Sequence, residues 1–482
     1  MIRPGVLVGY LGRIITIIGI AMLSCIAWSI YYQEDVVINL GVAAGITISC
    51  GILLGWFFPQ KASLNFKESF AVVSLGWICA SLFGSLPYML TGYLPSFADA
   101  VFETVSGFTT TGASVITDVE TIPKGLLFWR SLTQWLGGMG IIALFVAIIA
   151  GMGAKGNQLF RAEVPGPITD KVSPRIRDSA KKLWKTYVVL SIILCVLLYV
   201  FGMNLFDAFC HTFTTMATGG FSTKNNSVAY YTSPAIQWTL VIFMFIAGVN
   251  FSLHFLAYKK RSLKLYLRDR EFKVYSSIAL VAIFIVFISW ATGSGMNIEE
   301  KLRGAAFQVV SIMTTTGFAT MDYDRWPALG QAILFLLMLV GGCAGSTGGS
   351  VKPGRYLIIF QRGLIELKQM VHPKAILPQK FGGKVLGDAL VINVLQFFFL
   401  YVVLIMIGAL VMALMGLDLF SSLTASMACL GNIGPGFGLV GPTLNYGFIA
   451  DGGKYLLSVL MLVGRLEIYP VLVILMSQFW QE

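Results

Sequence analysis

Charge and histidine are what this sequence has least of: Asp, Glu, Lys and Arg make up 12% of its 482 residues, and there are three histidines. A soluble protein could not hide the apolar surface that remains, since 56% of the residues are hydrophobic and the mean hydropathy is +0.79. His211, His254 and His372 are scattered, so no histidine metal site is expected. The seven cysteines (Cys25, Cys50, Cys79, Cys195, Cys210, Cys343, Cys429) are odd in number, form no CxxC and lie in apolar stretches. They read as small buried hydrophobes, not as disulfides or ligands. Carboxylates are nearly missing from the long apolar runs. A membrane enzyme would need a cluster of His, Asp, Glu or Cys near one face, and none is seen. No catalytic residue and no bound organic cofactor are expected, and a pI near 9.2 is here no sign of nucleic acid.

Ten apolar stretches are long enough to cross a bilayer, at roughly 8–30, 36–58, 69–91, 125–152, 183–203, 234–257, 273–293, 326–350, 386–416 and 453–480. The run near 326–350 is the least regular. The N-terminal run is too long for a signal-peptide core and reads as a retained span. The formal charge of +11 is concentrated in three loops. Lys155, Arg161, Lys171, Arg175, Arg177, Lys181, Lys182 and Lys185 form the first, Lys259, Lys260, Arg261, Lys264, Arg268, Arg270 and Lys273 the second. Arg355, Arg362, Lys368, Lys374, Lys380 and Lys384 form the third. The positive-inside rule puts these loops and both termini in the cytoplasm. They serve topology alone, or they also dock an acidic partner or anionic membrane lipid.

A short phrase recurs four times: TTTGA ending at Ala113, MATGG at Gly220, TTTGF at Phe318 and GNIGPG at Gly436. Aligning Gly112, Gly219, Gly317 and Gly434 gives spacings of 107, 98 and 117 residues. Phe102, Phe209 and Phe307 precede the aligned glycine by ten residues, and Thr424 stands there in the fourth copy. Before each glycine lies a half-apolar segment, 98–110, 206–217, 302–315 or 420–431, too short to span and suited to a re-entrant helix. Irregular backbone at membrane depth is tolerated only against water or buried protein. Four such turns around one axis meet that condition by presenting carbonyls to a hydrated cation, and glycine permits the positive φ this needs. Thr110, Thr111, Thr218, Thr315 and Thr316 add oxygens near each ring. TxG strings are common turn signals, but four in register point to a cation pore made by one polypeptide. An ion-coupled transporter of inverted halves would instead show intramembrane carboxylates.

The TTTGA, ATGGF, TTTGF and NIGPG strings, together with GGCAGSTGGSVKPG at 341–354, resemble the Trk/Ktr/HKT superfamily of cation transporters, on its bacterial potassium-uptake side. The resemblance covers essentially the whole chain. It implies an all-α polytopic membrane protein with four pseudo-symmetric helix–pore-loop–helix repeats around a central pore, after two extra N-terminal transmembrane helices. The divisions would be 1–67 for the extra helices, then 68–155, 156–260, 261–372 and 373–482 for the repeats. It implies that potassium binds at Gly112, Gly219, Gly317 and Gly434, with Gly112 in place of the serine that goes with sodium permeation. The fourth copy departs from TxG, having Asn432 and Ile433 before Gly434, so the filter is expected to be asymmetric. It further implies a homodimer in the bacterial inner membrane, opened by a cytosolic nucleotide-binding regulatory subunit of the TrkA type. An ion-coupled (proton or sodium) symporter, or a less selective monovalent cation transporter, is the alternative.

Two features bear on gating. The run Gly341, Gly342, Cys343, Ala344, Gly345, Ser346, Thr347, Gly348, Gly349, Ser350 is a poor helix, since each glycine costs ~1 kcal/mol against alanine. It should be a break lining the pore below the filter, and the resemblance makes it the gate; a glycine-rich close helix crossing is the other reading. Arg465, within the last span, is expensive at that depth and faces a cavity or a partner. It forms an internal pair, Glu467 being one candidate, or, as the resemblance implies, sits beside the pore below the filter. Lys352 and Arg355 read as snorkelling residues at a membrane end. Asp99, Glu103, Asp207 and Asp418 lie at outer mouths or on the short helices, as attractors of cations or as ordinary solvated charges.

Overall fold

The computed structural model describes residues 2–58, 64–151, 176–290, 297–375, 377–382 and 384–481. Lys155, Arg161, Lys171 and Arg175 of the first basic loop lie outside them. Two long helices open the chain, α1 (Pro4–Tyr31) and α2 (Val37–Phe57). They pack closely because glycines face each other: a Cβ on Gly12 would lie 2.8 Å from the Gly51 carbonyl oxygen. Helix α3 (Phe66–Gly84) begins with a capping box between Asn65 and Glu68, and Glu68 also pairs with Arg3 at 2.6 Å, tying the starts of α1 and α3 together. A short turn of helix, α4 (Leu86–Leu90), follows.

From α3 onward one unit is repeated four times: a long apolar helix, a short helix, an irregular turn and a second apolar helix. The short helices are α5 (Phe97–Phe108), α8 (Leu205–Met216), α13 (Ile298–Met313) and α17 (Leu419–Leu430). Their N-caps Ser96, Asn204, Asn297 and Asp418 each accept the N–H three residues on, which fixes where each helix starts. Three of them are 12 residues long, about 18 Å at 1.5 Å per residue, too short to cross a bilayer. The long helices before them are α3, α7 (Ile176–Val200), α12 (Arg270–Ser289) and α16 (Asp388–Leu414). The helices after them are α6 (Lys124–Gly151), α9 (Pro234–Ala247), α14 (Ala328–Leu337) and α18 (Asp451–Arg465). Each of these packs on the next unit's short helix: α6 on α8, α9 on α13 and α18 back on α5, with Phe335 of α14 stacked on Phe420 of α17 at 6.0 Å. The four units therefore close into a ring.

Three of the ten expected spans are broken. The run 234–257 stops at Ala247, and α10 (Phe251–Lys260) leaves at 97°. Asn250 caps α10 by accepting the Ser252 N–H, and this supplies the new start. A five-residue helix, α11 (Lys264–Arg268), then leads into α12. The run 326–350 is helical only to Leu337; residues 338–352 are irregular, as the glycine content predicts, until α15 (Pro353–Val371) begins at a proline. The run 453–480 bends by 118° after Arg465 into α19 (Tyr469–Leu475), through Glu467 and Ile468 at positive φ, and ends in α20 (Ser477–Trp480). Apart from the two-residue strands β1 (Lys380–Phe381) and β2 (Lys384–Val385) and an isolated bridge between Val340 and Val351, the described chain is helix and irregular backbone.

Candidate functional site

Each short helix ends four residues before a glycine at positive φ, and each turn has the same backbone. Thr110, Thr218, Thr315 and Asn432 have φ of 55°, 53°, 60° and 54°, and Gly112, Gly220, Gly317 and Gly434 have φ of 84°, 77°, 80° and 97°. Between them lie Thr111, Gly219, Thr316 and Ile433. The N–H groups of these middle residues donate back to Ser106, Thr214, Ser311 and Ala428 at 2.8–2.9 Å. This corrects the alignment read from the sequence. Gly220, not Gly219, occupies the position of Gly112, and Gly219 matches Thr111. The adjacent glycines hid a one-residue register shift that only backbone torsions reveal. With it, Phe102 and Phe307 are matched by Cys210 and Thr424, so units one and three share a residue there that units two and four lack.

The glycines are required by a close approach. A Cβ on Gly112 would overlap the carbonyl oxygen of Gly219, and one on Gly220 that of Thr316. One on Gly317 would overlap the oxygen of Ile433, and one on Gly434 would lie 2.6 Å from that of Thr111. The sequence of contacts runs once round the four units and closes on itself. A cleft of about 130 Å³ opens on this ring and is lined by all four glycines. Four helix C-termini end at the ring, and their dipoles place partial negative charge there, which favours a cation.

Side chains brace the ring. Gln134 Nε2 donates to the Gly219 carbonyl at 2.6 Å while its Oε1 accepts the Phe221 N–H at 3.1 Å. Thr109 and Thr111 hydroxyls bond at 2.8 Å, as do Thr314 and Thr316 at 2.7 Å in unit three. Glu103 is fully buried and pairs with Arg130 at 2.6 Å; its other oxygen accepts the Val115 N–H, and Arg130 donates to the Ser222 carbonyl. His211 and Gln308 occupy the same place in units two and three: His211 Nε2 meets the Ser222 hydroxyl at 3.1 Å, and Gln308 accepts the Thr320 N–H. Asp207 is buried and accepts from Thr223, Tyr231 and Asn204. Asp99 pairs with Lys454 at 2.5 Å, and Asp418 caps α17. Asp418 is therefore an exposed cap, while Glu103, Asp207 and Asp99 are structural partners rather than free mouth charges. Their roles depend on groups far away in sequence; Arg130, a charge inside an apolar span, was the one sign of them.

On the other side of the ring lies the irregular segment 338–352. Its Gly349 N–H donates to the Thr315 hydroxyl at 2.7 Å, and the Thr347 hydroxyl donates to the Met216 carbonyl at 3.1 Å. Gly341 N–H meets the Val351 carbonyl at 2.9 Å, so Gly341, Gly342, Gly345, Ser346, Thr347, Gly348 and Gly349 form one loop pinched at its base. Gly342 and Gly348 lie against backbone: a Cβ on Gly348 would sit 3.1 Å from the Thr314 carbonyl oxygen. Lys352, expected to snorkel, is buried instead, and its ammonium donates to the carbonyls of Gly348 and Gly349 at 2.5 and 3.3 Å. The carbonyls are at hand because a glycine loop leaves them without helix partners. Arg465, 1% exposed, donates to the carbonyls of Thr347 at 2.7 Å and Gly137 at 3.3 Å. Its suggested pair with Glu467 is not formed; Glu467 pairs with Arg355 at 2.5 Å, and the Arg355 guanidinium also lies 4.0 Å over the Phe397 ring.

Four short helices aimed at one ring of backbone, inside a shell of apolar spans, define a polytopic membrane transport protein. The chain belongs to the TrkH family, described as cation transport proteins, whose model matches residues 42–481; it is a transporter family, not an enzyme family. The chain is 38% identical over 478 residues to the Trk system potassium uptake protein TrkH of Halomonas elongata, covering 98% of each. It is 39% identical over 441 residues to the protein of that name from Escherichia coli, covering 91% of each. To the Trk system potassium uptake protein TrkG of Escherichia coli it is 34% identical over 476 residues, 98% of this chain and 97% of that one. The crystal structure of the potassium transporter TrkH from Vibrio parahaemolyticus matches 100% of both chains with a TM-score of 0.91 at 34% identity.

Proposed function

We propose that this chain takes up potassium through the axis of the four glycine turns. The observation that carries the reading is the closed ring of glycine-to-carbonyl contacts from Gly112 through Gly220, Gly317 and Gly434. Close packing without side chains leaves carbonyl and threonine oxygens of residues 110–112, 218–220, 315–317 and 432–434 as the groups able to replace a hydration shell. Relatives named as potassium uptake proteins support potassium as the ion. The filter in this reading comprises Thr110, Thr111, Gly112, Thr218, Gly219, Gly220, Thr315, Thr316, Gly317, Asn432, Ile433 and Gly434. The repeats run 68–155, 156–260, 261–372 and 373–482, following two N-terminal helices in 1–67.

The loop 341–350 is the gate in this reading. Its hydrogen bonds to Thr315 and Met216 support that role, since they hold backbone and the Lys352 and Arg465 charges directly beneath the ring. A cation leaving the ring meets those charges until the loop moves. The name Trk system supports a multi-component assembly, in which a cytosolic nucleotide-binding subunit of the TrkA type moves the loop through the basic faces. The chain acts as a homodimer in the bacterial inner membrane, with both termini cytoplasmic.

The test is rubidium or potassium influx in cells lacking potassium uptake, with Gly112→Ser and a variant lacking part of 341–350 alongside. Influx with the regulatory partner, a lower potassium-over-sodium preference in Gly112→Ser and a higher basal flux in the deletion are the expected results. No influx, or an unchanged preference, overturns the filter; unchanged flux in the deletion overturns the gate.

A further inference from the structure

Glu271 takes no part in the path described above, yet it is 4% exposed in the first turn of α12. A single oxygen, Oε1, accepts the Ala344 N–H at 3.1 Å and the Gly354 N–H at 3.2 Å. One carboxylate thus holds both flanks of the segment that crosses beneath the ring. Two further bonds join the same part of the loop to the chain just before Glu271. The Cys343 N–H donates to the Gly248 carbonyl at 2.8 Å, and the Phe251 N–H donates to the Gly345 carbonyl at 3.1 Å. Residues 343, 344 and 345 are therefore all bonded to the stretch 248–271.

That stretch is braced within itself and against the end of α9. His254 spans it, with Nε2 at 2.9 Å from the Ile246 carbonyl and Nδ1 at 2.7 Å from the Tyr266 hydroxyl, and Asp269 caps α12 by accepting the Phe272 N–H. It also carries exposed Lys259, Lys260, Arg261, Lys264, Arg268 and Arg270. A carboxylate is costly to bury, and hydrogen bonds from N–H groups offset that cost. At this position one bond comes from the loop, at Ala344, and the other from Gly354 in the first turn of α15 just beyond it.

We propose that Glu271 is the positioning residue of the intramembrane loop, through which the basic segment 248–271 holds the loop under the ring and, when displaced, withdraws it. The inference rests on the gate assigned above. An acidic surface docking on the basic residues would pull α10 and α11, and the pull reaches residues 343–345 and 354 through backbone bonds and one carboxylate.

The test uses the full chain in vesicles of phosphatidylethanolamine and phosphatidylglycerol without any partner protein. Rubidium influx is measured beside hydrogen–deuterium exchange of the amides of Ala344 and Gly354. Glu271→Ala removes both hydrogen bonds and is expected to raise influx at least about tenfold and to speed both amides. Glu271→Gln keeps an acceptor oxygen and is expected to stay within about twofold of the parent on both readouts. If Glu271→Ala does not fold, Glu271→Asp, too short to reach both amides, is expected to speed one of them and raise influx. Unchanged exchange in Glu271→Ala overturns the proposal. So does faster exchange with unchanged influx when shortening the loop at 345–349 does raise influx. Unchanged influx in the shortened loop as well overturns the gate itself.

Discussion

Asn432 and Thr111 stand 321 residues apart and are joined by a hydrogen bond of 3.0 Å from Asn432 Nδ2 to Thr111 Oγ1. The same nitrogen donates to the Met461 carbonyl at 2.9 Å, so one amide fastens the fourth turn to the first turn and to α18. The seam between the chain's first and last units is thus closed by the residue that departs from the TxG pattern.

Asn432→Leu keeps the volume and removes both donors. It is expected to lower thermal stability by about 1–2 kcal/mol and to reduce the preference for potassium over sodium. Melting temperature and paired rubidium and sodium fluxes check this; an unchanged ion preference would mean the seam does not shape the ring.

The Glu103–Arg130 pair is buried on both sides, with side-chain exposures of 0% and 4%. Removing one partner leaves an uncompensated charge, so Glu103→Ala or Arg130→Ala should each cost about 3–5 kcal/mol. The double variant should cost less than the sum of the two, because neither charge is then stranded. Chemical denaturation of the four proteins of the cycle measures the coupling, and simple additivity would contradict it.

The register of the second turn separates two adjacent glycines. Gly220 has φ of 77° and faces the Thr316 carbonyl, so Gly220→Ser should impair transport and selectivity as Gly112→Ser does. Gly219 is not at positive φ, and the three atoms nearest a Cβ there all belong to the Gln134 amide, a side-chain end that can give way at the cost of its two hydrogen bonds. Gly219→Ala is therefore expected to retain more transport than Gly220→Ala. The reverse order in an uptake assay would restore the alignment on Gly219.

Asp324 lies in the turn after the third ring segment, half-buried against Gly438 and Gly441. Loss of hydration raises its carboxyl to about 6 from an ordinary value of 3.8; the Gly438 N–H opposes the rise and Asp322 adds to it. A folded-state value above the unfolded one means a stabilising contribution complete below about pH 4 and lost as pH rises through about 6. Asp324→Asn should therefore melt higher than the parent protein above pH 6, with the difference shrinking toward pH 4. A pH-independent difference would show that the carboxyl's charge is not the cause.

Much of the fold was legible because membrane solvation writes it into composition. Spans such as 388–414 need long apolar runs, and the short helices need caps, so Asn204 and Asp418 mark their starts as plainly as the runs mark the spans. The breaks were legible only in part. The glycine run announced the irregular segment 338–352, whereas Gly248 and the cap Asn250 are the local marks of the 97° bend after Ala247. That bend is satisfied by Cys343 and Gly345, almost a hundred residues later. Lys352 and Glu467 were likewise misplaced because their partners are backbone carbonyls and Arg355, brought near by folding.

By itself the sequence determined the solvent, the repeat and the glycine-bearing turns, since apolar length and the need for positive φ are properties of local residues. The tertiary structure alone decided which glycine of the pair 219 and 220 faces its neighbour, which charges are buried in pairs, and what holds the loop beneath the ring. Those outcomes depend on contacts between units, where a one-residue shift or a single buried amide changes the partner without changing the local pattern.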